Sequence, residues 1–291
     1  MILDREATFV ELRPLLFSLA YRMLGVRADA EDAVQEAYLR WQEATEAEIR
    51  SPQAYLTTVV ARLSLDALKS AHRKREVYVG PWLPEPIVEP IDAMSGSLEM
   101  AQTLSIAFLH LLESLSPPER AAFLLREVFE VPYTEIAAIL ESSEANCRQL
   151  VTRARKGIRE QRRRFAVDRS HHRKVLENFL AACASGDPSQ LMSMLQQDAV
   201  LYTDGGGKVA AALNPIYGAD RISRFFAGLL KKGALPPYQA KFVQVNGEMG
   251  ALIYYGSHLA SVVTLELDES GTIQNIFAVS NPEKLPQSFF M

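Results

Sequence analysis

The chain has 291 residues, of which 48% are hydrophobic, and its 31 Lys and Arg against 35 Asp and Glu give a formal net charge of −4. This length predicts two or three small domains, and the negative balance excludes a protein that coats nucleic acid with its whole surface. No apolar run approaches the roughly 20 residues of a membrane helix, and the N-terminus lacks a signal-peptide pattern. We therefore expect a soluble, cytoplasmic protein without a membrane partner.

Cysteines and histidines give no sign of a metal or redox site. Cys147 and Cys183 are far apart and in no metal-ligand spacing, so we predict two buried thiols in a reducing compartment. The pair His171-His172 has no Cys or carboxylate at ligand spacing and is interpreted as solvated linker. We expect neither a metal nor a cofactor.

Charge is distributed unevenly along the chain. Between Asn146 and Arg169, nine basic residues stand against two acids, whereas between Asp29 and Glu48 seven acids stand against one base. Such asymmetry indicates different surfaces for different partners.

The N-terminal third is predicted to be helical. Apolar residues recur at helical spacing from Phe9 to Met23, and a second helix is predicted to begin with Asp29 as its N-cap and to include Trp41. A third helix is predicted to begin at Ser51-Pro52, because serine caps a helix and proline fits its first turn.

A proline-rich stretch separates this part from the next. Four prolines between residues 77 and 97 exclude a long helix there. Helical periodicity resumes near Leu98 and continues to about Phe165, and Ser116-Pro117-Pro118-Glu119 predicts a capping box.

The C-terminal part has a different pattern of apolar residues. We predict two short helices over 172–184 and 188–195, a helix near Ala219–Leu230, and alternating segments typical of antiparallel strands. The turn signals Asn246-Gly247 and Ser270-Gly271 separate strands, which favours an α+β domain. The predicted boundaries are 1–76, a linker at 77–97, 98–169 and 170–291.

The strongest local pattern is a helix-turn-helix between Val131 and Ile158. A short helix from Tyr133 is followed by the turn Glu141-Ser142-Ser143 and by a second helix that Ser143 caps. A helical hairpin with a solvated basic face is the simpler alternative. The turn length and the outward side chains favour a major-groove helix, since Arg and Gln form paired bonds to base edges and Thr contacts a thymine methyl. The outward residues are Glu144, Arg148, Gln149, Thr152, Arg153 and Lys156.

Several segments resemble a known family. The segment Asp29 to Trp41 resembles the core-polymerase-binding helix of sigma region 2, and Ser51 to Lys69 resembles the adjoining segment that in the family melts and reads the minus-10 element. Leu115 to Phe123 and the helix-turn-helix ending at Lys156 resemble region 4, which reads the minus-35 element. The chain is thus identified as a member of the extracytoplasmic-function (ECF) sigma factors of the sigma-70 family.

Three short motifs refine this resemblance. Trp82-Leu83-Pro84-Glu85-Pro86, Asp204-Gly205-Gly206-Gly207-Lys208 and Asn281-Pro282-Glu283-Lys284-Leu285 occur in this order behind the two sigma regions. Together they resemble the SigJ-like subgroup, whose members carry a fused SnoaL-like (ketosteroid-isomerase-like) domain. The implied fold is multi-domain, with two all-α sigma domains and an α+β cone.

The resemblance implies functional residues and partners. Core RNA polymerase and promoter DNA are the implied partners, and a small ligand in the SnoaL-like pocket is left open. Residues implied in polymerase binding are Asp29, Asp32, Gln35, Glu36, Leu39 and Trp41, and those implied at the minus-10 element are Tyr55, Arg62, Asp66, Lys69 and Arg73. The third domain is expected to regulate activity in cis through Trp82, Pro84, Asp204, Gly206, Lys208, Asn281 and Lys284.

Two other functions stay open. A stand-alone DNA-binding regulator with a ligand-sensing domain needs the helix-turn-helix but not the acidic helix at Asp29–Trp41. A SnoaL-like enzyme fused to a helical module would use a pocket acid such as Asp204 as a general base. Neither explains two sigma-like regions in the family's order, so we expect a sigma factor without enzymatic activity.

Overall fold

A computed structural model describes residues 4–45, 49, 51–75, 77–91, 104–161 and 169–286. By their contacts these residues form two compact units. Unit 1 contains the described residues up to 77 together with 111–161, and unit 2 contains 78–91, 104–110 and 169–286. The predicted linker at 77–97 therefore belongs, from residue 78 to 91, to the same unit as the C-terminal domain.

Unit 1 is helical. Its helices are α1 (Arg5–Leu24), α2 (Arg27–Glu43), α3 (Pro52–Arg75), α5 (Pro117–Glu127), α6 (Tyr133–Ile139) and α7 (Glu144–Gln161). Helix α4 (Ile106–Leu112) carries the chain from unit 2 into unit 1. The predicted helical periodicity from Leu98 begins outside the described residues.

Helix boundaries follow local chemistry, with one correction. The Ser51 hydroxyl accepts a bond from the Ala54 amide at 3.4 Å, and the Glu119 carboxylate accepts one from the Ser116 amide at 3.1 Å, as the two predicted caps require. The prediction that Asp29 caps α2 is wrong, because the helix begins at Arg27 after Val26. Gly25, in the left-handed conformation, ends α1 and lets α2 start almost at once.

Unit 2 is an α+β domain, so the predicted fold class is confirmed. It contains β1 (Val88–Glu89), α8 (Arg169–Ser185), α9 (Pro188–Met194), β2 (Leu195–Asp204), β3 (Ile216–Tyr217), α10 (Ala219–Lys231), β4 (Gln239–Val245), β5 (Glu248–Tyr255), β6 (His258–Leu267) and β7 (Ile273–Val279). The strands form one sheet in the order β1-β4-β5-β6-β7-β2-β3, in which only the β2–β7 pair is parallel among the described residues.

Side chains alternate between the two faces of this sheet. One face packs against α8, α9 and α10 around residues such as Phe179 and Ile222. The other face, which includes Val262 and Phe277, packs against Leu83 of the linker and against α4. The linker also adds β1 to the sheet, with Val88 opposite Val245. The linker thus supplies part of the hydrophobic core of the C-terminal domain.

Two predictions about single residues have opposite outcomes. Cys147 and Cys183 are buried free thiols, as predicted. The interpretation of His172 as a solvated linker residue is wrong, because it lies in α8 with its Nε2 atom buried and unpartnered. Burial lowers the pKa of His172 to about 4. Within the described residues, no helix combines the length and apolar character that crossing a bilayer would require.

Candidate nucleic-acid interface and linker clamp

The acidic helix α2 presents most of its predicted polymerase-binding residues to solvent. Asp29, Asp32, Gln35 and Leu39 are exposed and Glu36 is half-buried. Leu39 leaves 51% of its surface accessible. The exposed face of α2 is therefore acidic with one apolar side chain.

Trp41 does not belong to that exposed face, which corrects its assignment as a contact residue. It is fully buried, and its indole nitrogen donates to the Arg5 carbonyl at 3.1 Å. Arg5 returns a bond of 2.7 Å to the Trp41 carbonyl, and the Tyr55 ring lies 5.7 Å from the indole. Trp41 joins α2 to α1 and α3 and has no surface for a partner.

Three of the predicted minus-10 residues lie on one exposed side of α3, whereas Tyr55 is half-buried with its ring 5.7 Å from that of Trp41. Arg62, Asp66 and Lys69 are exposed, and Lys69 pairs with Asp66 at 3.3 Å. Arg62 donates a bond of 2.7 Å to the Ala138 carbonyl in α6. The side chain of Arg73 lies outside the described residues. A residue assigned to the minus-10 element therefore contacts the first helix of the helix-turn-helix.

The helix-turn-helix forms where it was predicted. The Ser143 hydroxyl accepts a bond from the Asn146 amide at 3.1 Å, so it caps α7. Cys147, Val151, Ala154 and Ile158 are buried and hold this helix against the unit. Its predicted DNA-facing residues point outward, with Glu144 half-buried and the others exposed: Arg148, Gln149, Thr152, Arg153 and Lys156.

Two arginines of α7 are engaged within the protein. Arg148 pairs with Glu144 at 3.1 Å, and its guanidinium carbon lies 4.4 Å from the centre of the Tyr133 ring. Arg155 makes two bonds to Glu127, of 3.0 and 2.7 Å, and this carboxylate raises the pKa of Arg155. The role of Arg155 is thus to hold α7 on α5.

A buried arginine joins the two helical regions of unit 1. Arg120 in α5 is 1% exposed and donates two bonds, of 3.1 and 2.9 Å, to the Arg22 carbonyl near the end of α1. The last carbonyls of a helix have no partner within the helix, so Arg120 satisfies one of them. Its remaining nitrogen pairs with Glu113. Region 4 therefore supplies a cap for a helix of region 2.

In unit 2 the three short motifs meet in one cluster, which we call the linker clamp. Asp204 is fully buried, and its two oxygens accept bonds from the Tyr78 hydroxyl at 2.6 Å, the Leu83 amide at 2.9 Å and the Lys284 ammonium at 2.7 Å. The clamp comprises Tyr78, Trp82 and Leu83 of the linker together with Asp204, Gly206, Asn281 and Lys284.

Lys284 extends the clamp along the linker. Its ammonium donates to the Leu83 carbonyl at 2.7 Å and lies 4.2 Å from the Trp82 ring centre and 4.9 Å from that of Tyr78. A buried ammonium needs an anion and hydrogen-bond acceptors, and this cluster supplies Asp204 as the anion and the Leu83 carbonyl as a further acceptor. Trp82 and Tyr78 supply their aromatic faces to the same charge. The linker is therefore held through its backbone and its rings.

Two further features fix the shape of the clamp. Gly206 has φ +59°, and a Cβ atom there would lie 2.3 Å from the Asn281 amide nitrogen, so only glycine fits. Burial, together with the bond to Asp204, raises the pKa of Tyr78. Tyr78 is accordingly the neutral donor and Asp204 the acceptor.

The remaining motif residues lie at the edge of the clamp. Pro84 is buried, whereas Lys208 is exposed and pairs with the exposed Glu283. The proposed use of Asp204 as a general base is not compatible with this geometry. Its carboxylate has no solvent access, and both oxygens already accept bonds from the protein, Oδ1 also from the Gly206 amide at 3.1 Å.

Sequence reasoning missed several residues that complete these sites. Tyr78 lies outside the three motifs, and Arg120 and Tyr133 lie in segments read only for their helix caps and spacing. Tyr78 lies 126 positions from its partner Asp204, and Arg120 lies 98 positions from Arg22. Tyr133 lies 15 positions from Arg148, so local spacing gave no signal for any of the three contacts. The presence of an acid in one motif and of a base in another, Asp204 and Lys284, was the one signal available.

Comparison with known proteins identifies the two helical regions and the relatives of this chain. Residues 8–74 match the family Sigma-70 region 2, and residues 105–157 match Sigma-70, region 4. A Mycobacterium tuberculosis protein described as ECF RNA polymerase sigma factor SigJ is 38% identical over 96% of this chain and 93% of its own length. Its relative described as probable sigma factor SigI, from the same species, is 33% identical over 94% and 92%.

A solved structure agrees over the whole chain. The crystal structure of the M. tuberculosis extracytoplasmic function sigma factor SigJ is similar with a TM-score of 0.78 and 36% identity, and it covers 98% of this chain and 99% of that one. Identity above 30% over nearly the full length of both proteins includes the linker and the C-terminal domain as well as the sigma regions. The chain therefore belongs to the extracytoplasmic-function sigma factors of the sigma-70 family.

Proposed function

We propose that this RNA polymerase sigma factor is regulated in cis by its C-terminal domain, which holds the linker between regions 2 and 4 through the linker clamp. The observation that carries the proposal is the buried Asp204–Lys284 pair, which bonds both the amide and the carbonyl of Leu83. The C-terminal domain thereby holds the linker by two buried, oppositely charged side chains that bond its backbone.

The assignments on the two sigma regions are part of the proposal. The exposed face of α2, with Asp29, Asp32, Gln35, Glu36 and Leu39, binds a basic and apolar surface of core polymerase. The basic side of α3 holds the separated strand at the minus-10 element, and α7 enters the major groove at the minus-35 element. Trp41 supports the first of these surfaces from inside.

Distances suggest why the linker matters. The minus-10 and minus-35 elements are about 25 base pairs apart, or about 85 Å of B-DNA. A folded unit of the size of unit 1 has a radius of gyration of only about 14 Å. In unit 1 regions 2 and 4 contact each other through Arg120 and Arg62, so reading both elements at once requires them to separate.

The linker sets how far the regions separate. Residues 78–110 span up to about 110 Å when extended, which exceeds the promoter distance. While the clamp is closed, Tyr78 and His110 both belong to unit 2, so the linker cannot extend. The chain on either side of the linker is too short to span the distance between the two promoter elements. Closure of the clamp therefore restrains promoter binding, and its release permits it. Release is also the step at which a small ligand of the C-terminal domain would act.

Transcription in vitro tests the proposal. Run-off transcription with purified core polymerase compares the full chain with Leu83→Ala and Trp82→Ala, on a promoter recovered by selection from a randomised library. Both variants weaken the clamp from the linker side and are expected to raise transcript yield. Ile91→Ala is the matched control, since Ile91 lies on the same linker with an exposed side chain. Removal of residues 281–291, or of everything after 169, is expected to act in the same direction.

Two results would contradict the proposal. If Leu83→Ala frees the linker amides and transcript yield is unchanged or lower, regulation through the clamp is wrong. If no form of the chain binds core polymerase in a pull-down, the polymerase-binding assignment on α2 is wrong, and a stand-alone DNA-binding regulator becomes the better description.

A further inference from the structure

The side chain of Arg148 contacts two neighbouring side chains of its own unit. It is 59% exposed, yet Glu144 pairs with it at 3.1 Å and the Tyr133 ring lies under its guanidinium at 4.4 Å. A free arginine side chain carries about 2 kcal/mol of rotamer entropy, much of which is lost when it binds a base edge. Contacts that restrict it beforehand reduce this loss.

The Tyr133 ring is itself fixed by a second arginine. The guanidinium carbon of Arg126, at the end of α5, lies 4.9 Å from the ring centre, and Arg126 also donates to the Val131 carbonyl at 3.2 Å. Tyr133 is the first residue of α6 and is half-buried. The series Arg126, Tyr133 and Arg148 thus connects α5, α6 and α7.

We propose that Tyr133 is a positioning residue that sets the direction of Arg148 for recognition of a guanine in duplex DNA. Arginine reads guanine with two parallel bonds from its planar guanidinium, so its direction decides whether the pair forms. A ring face fixes the plane of the guanidinium without neutralising its charge. This inference rests on the proposed reading of the minus-35 element by α7.

Another arginine on the exposed side of α7, Arg153, offers a comparison. Within the described part of the chain it has no aromatic contact and no ion pair. If both arginines contact DNA, Arg148 is the one that an aromatic ring orients. Loss of Tyr133 should therefore affect recognition by Arg148 alone.

A selection experiment separates positioning from a general structural role. Holoenzyme made with the full chain selects from duplexes randomised over the minus-35 region, and sequencing gives the base preference at each position. We expect Arg148→Ala to abolish a guanine preference at one or two adjacent base pairs. Tyr133→Leu should weaken the preference at the same pairs by about two- to five-fold, the range for one exposed cation–π contact, while Tyr133→Phe keeps it.

Two further variants keep the test independent of folding. Arg148→Lys keeps the charge and leaves α6 untouched but has no planar group to stack on the ring. It should relax the same base pairs, and adding Tyr133→Leu to it should change nothing more. Arg153→Ala should alter preference at other positions or affinity for all sequences, and its effect should add to that of Tyr133→Leu.

Each alternative outcome has a definite meaning. If Tyr133→Leu lowers affinity equally for all sequences, or leaves base preference unchanged while Arg148→Ala abolishes it, Tyr133 is not a positioning residue, although α7 still reads bases. If Arg148→Ala itself leaves every preference unchanged, base reading by Arg148 fails and this inference fails with it.

Discussion

Each unit contains a buried cation that joins segments far apart in the sequence, and the two cations differ in the exposure of the acid they pair with. Lys284 in unit 2 pairs with Asp204, which has no exposed surface. Arg120 in unit 1 pairs with Glu113, whose side chain keeps 17% of its surface. Glu113 lies in the same region as Arg120, so this pair stays intact when regions 2 and 4 separate, and only the two bonds to the Arg22 carbonyl are lost. Loss of Asp204, in contrast, would leave the Lys284 ammonium buried without its anion.

The largest expected effect comes from removing the anion of the clamp. Asp204→Asn leaves the Lys284 ammonium buried without a counter-charge and should lower the free energy of unfolding of unit 2 by about 3–5 kcal/mol. The chain has two tryptophans, Trp41 in unit 1 and Trp82 in unit 2. Urea denaturation followed by fluorescence in a Trp41→Phe background therefore reports unit 2 alone.

The matched control for this variant is Glu283→Gln. It breaks the exposed pair with Lys208 and should cost under about 1 kcal/mol. Equal effects of the two substitutions would mean that the Asp204–Lys284 pair is hydrated, against the description of the clamp.

The next largest effect concerns the junction in unit 1. Arg120→Met fills a similar volume but leaves the Arg22 carbonyl without its two donors, and should cost about 2–3 kcal/mol. A Trp82→Phe background, in which Trp41 reports unit 1, measures it. Arg155→Met, which breaks an exposed pair with Glu127, should cost under about 1 kcal/mol. A loss for Arg120→Met no greater than for Arg155→Met would show that the buried junction contributes little.

Acid should distinguish the two units. His172 in unit 2 has its pKa lowered to about 4 from the ordinary 6.5, so the unfolded chain takes up a proton that the folded one refuses. The contribution of neutral His172 is complete above pH 6.5 and falls by up to about 1.4 kcal/mol per pH unit as pH drops toward 4. Urea titrations of unit 2 at pH 6.5, 5.5 and 4.5 should show this slope, and His172→Gln should reduce it.

The control for the acid experiment is His258→Gln, which replaces an exposed histidine in β6 of the same unit. It should leave the slope unchanged. The hypothesis of a buried, neutral His172 is wrong if His172→Gln and wild type lose stability in parallel.

The smallest effect concerns the Tyr78 hydroxyl. Tyr78→Phe removes one donor to Asp204 and should cost about 1 kcal/mol at neutral pH. Because the pKa of Tyr78 is raised in the fold, this contribution is complete below pH 10 and is lost as pH rises above it. The difference between variant and wild type should therefore narrow in alkaline solution, and a difference that stays constant with pH would contradict the assigned proton.

Sequence patterns predicted the elements well where the evidence is local. Periodicity and caps predicted α3, α5 and α7, and alternation with turn signals predicted β4 to β7, because hydrogen bonds within a turn or hairpin determine them. The short strands β1 and β3 were not predicted. The helix-turn-helix and its outward residues also followed from spacing. The N-cap at Asp29 failed because Gly25 already ends the preceding helix, which shifts the start of α2 to Arg27.

Contacts between segments that are distant in the sequence were harder to predict. The linker has prolines that predict a connector, but Leu83 and Val88 pack on and extend a sheet whose other strands lie more than 100 residues further along. Trp41 was assigned to polymerase binding by the family resemblance, whereas the fold buries it and its indole nitrogen donates to the Arg5 carbonyl. Such contacts depend on the fold of both partners and leave no periodic signal in either segment.

Regulation through the linker clamp requires that the linker is part of the C-terminal fold, and amide hydrogen exchange tests this directly in the full chain. In wild type the amides of Leu83, Ile87 and Asn246 donate to buried acceptors and should exchange slowly. In Lys284→Met the Leu83 amide should lose most of this protection, while the core of α1 in unit 1 stays protected. Linker amides that exchange in wild type at the rate of an unfolded peptide would contradict the clamp.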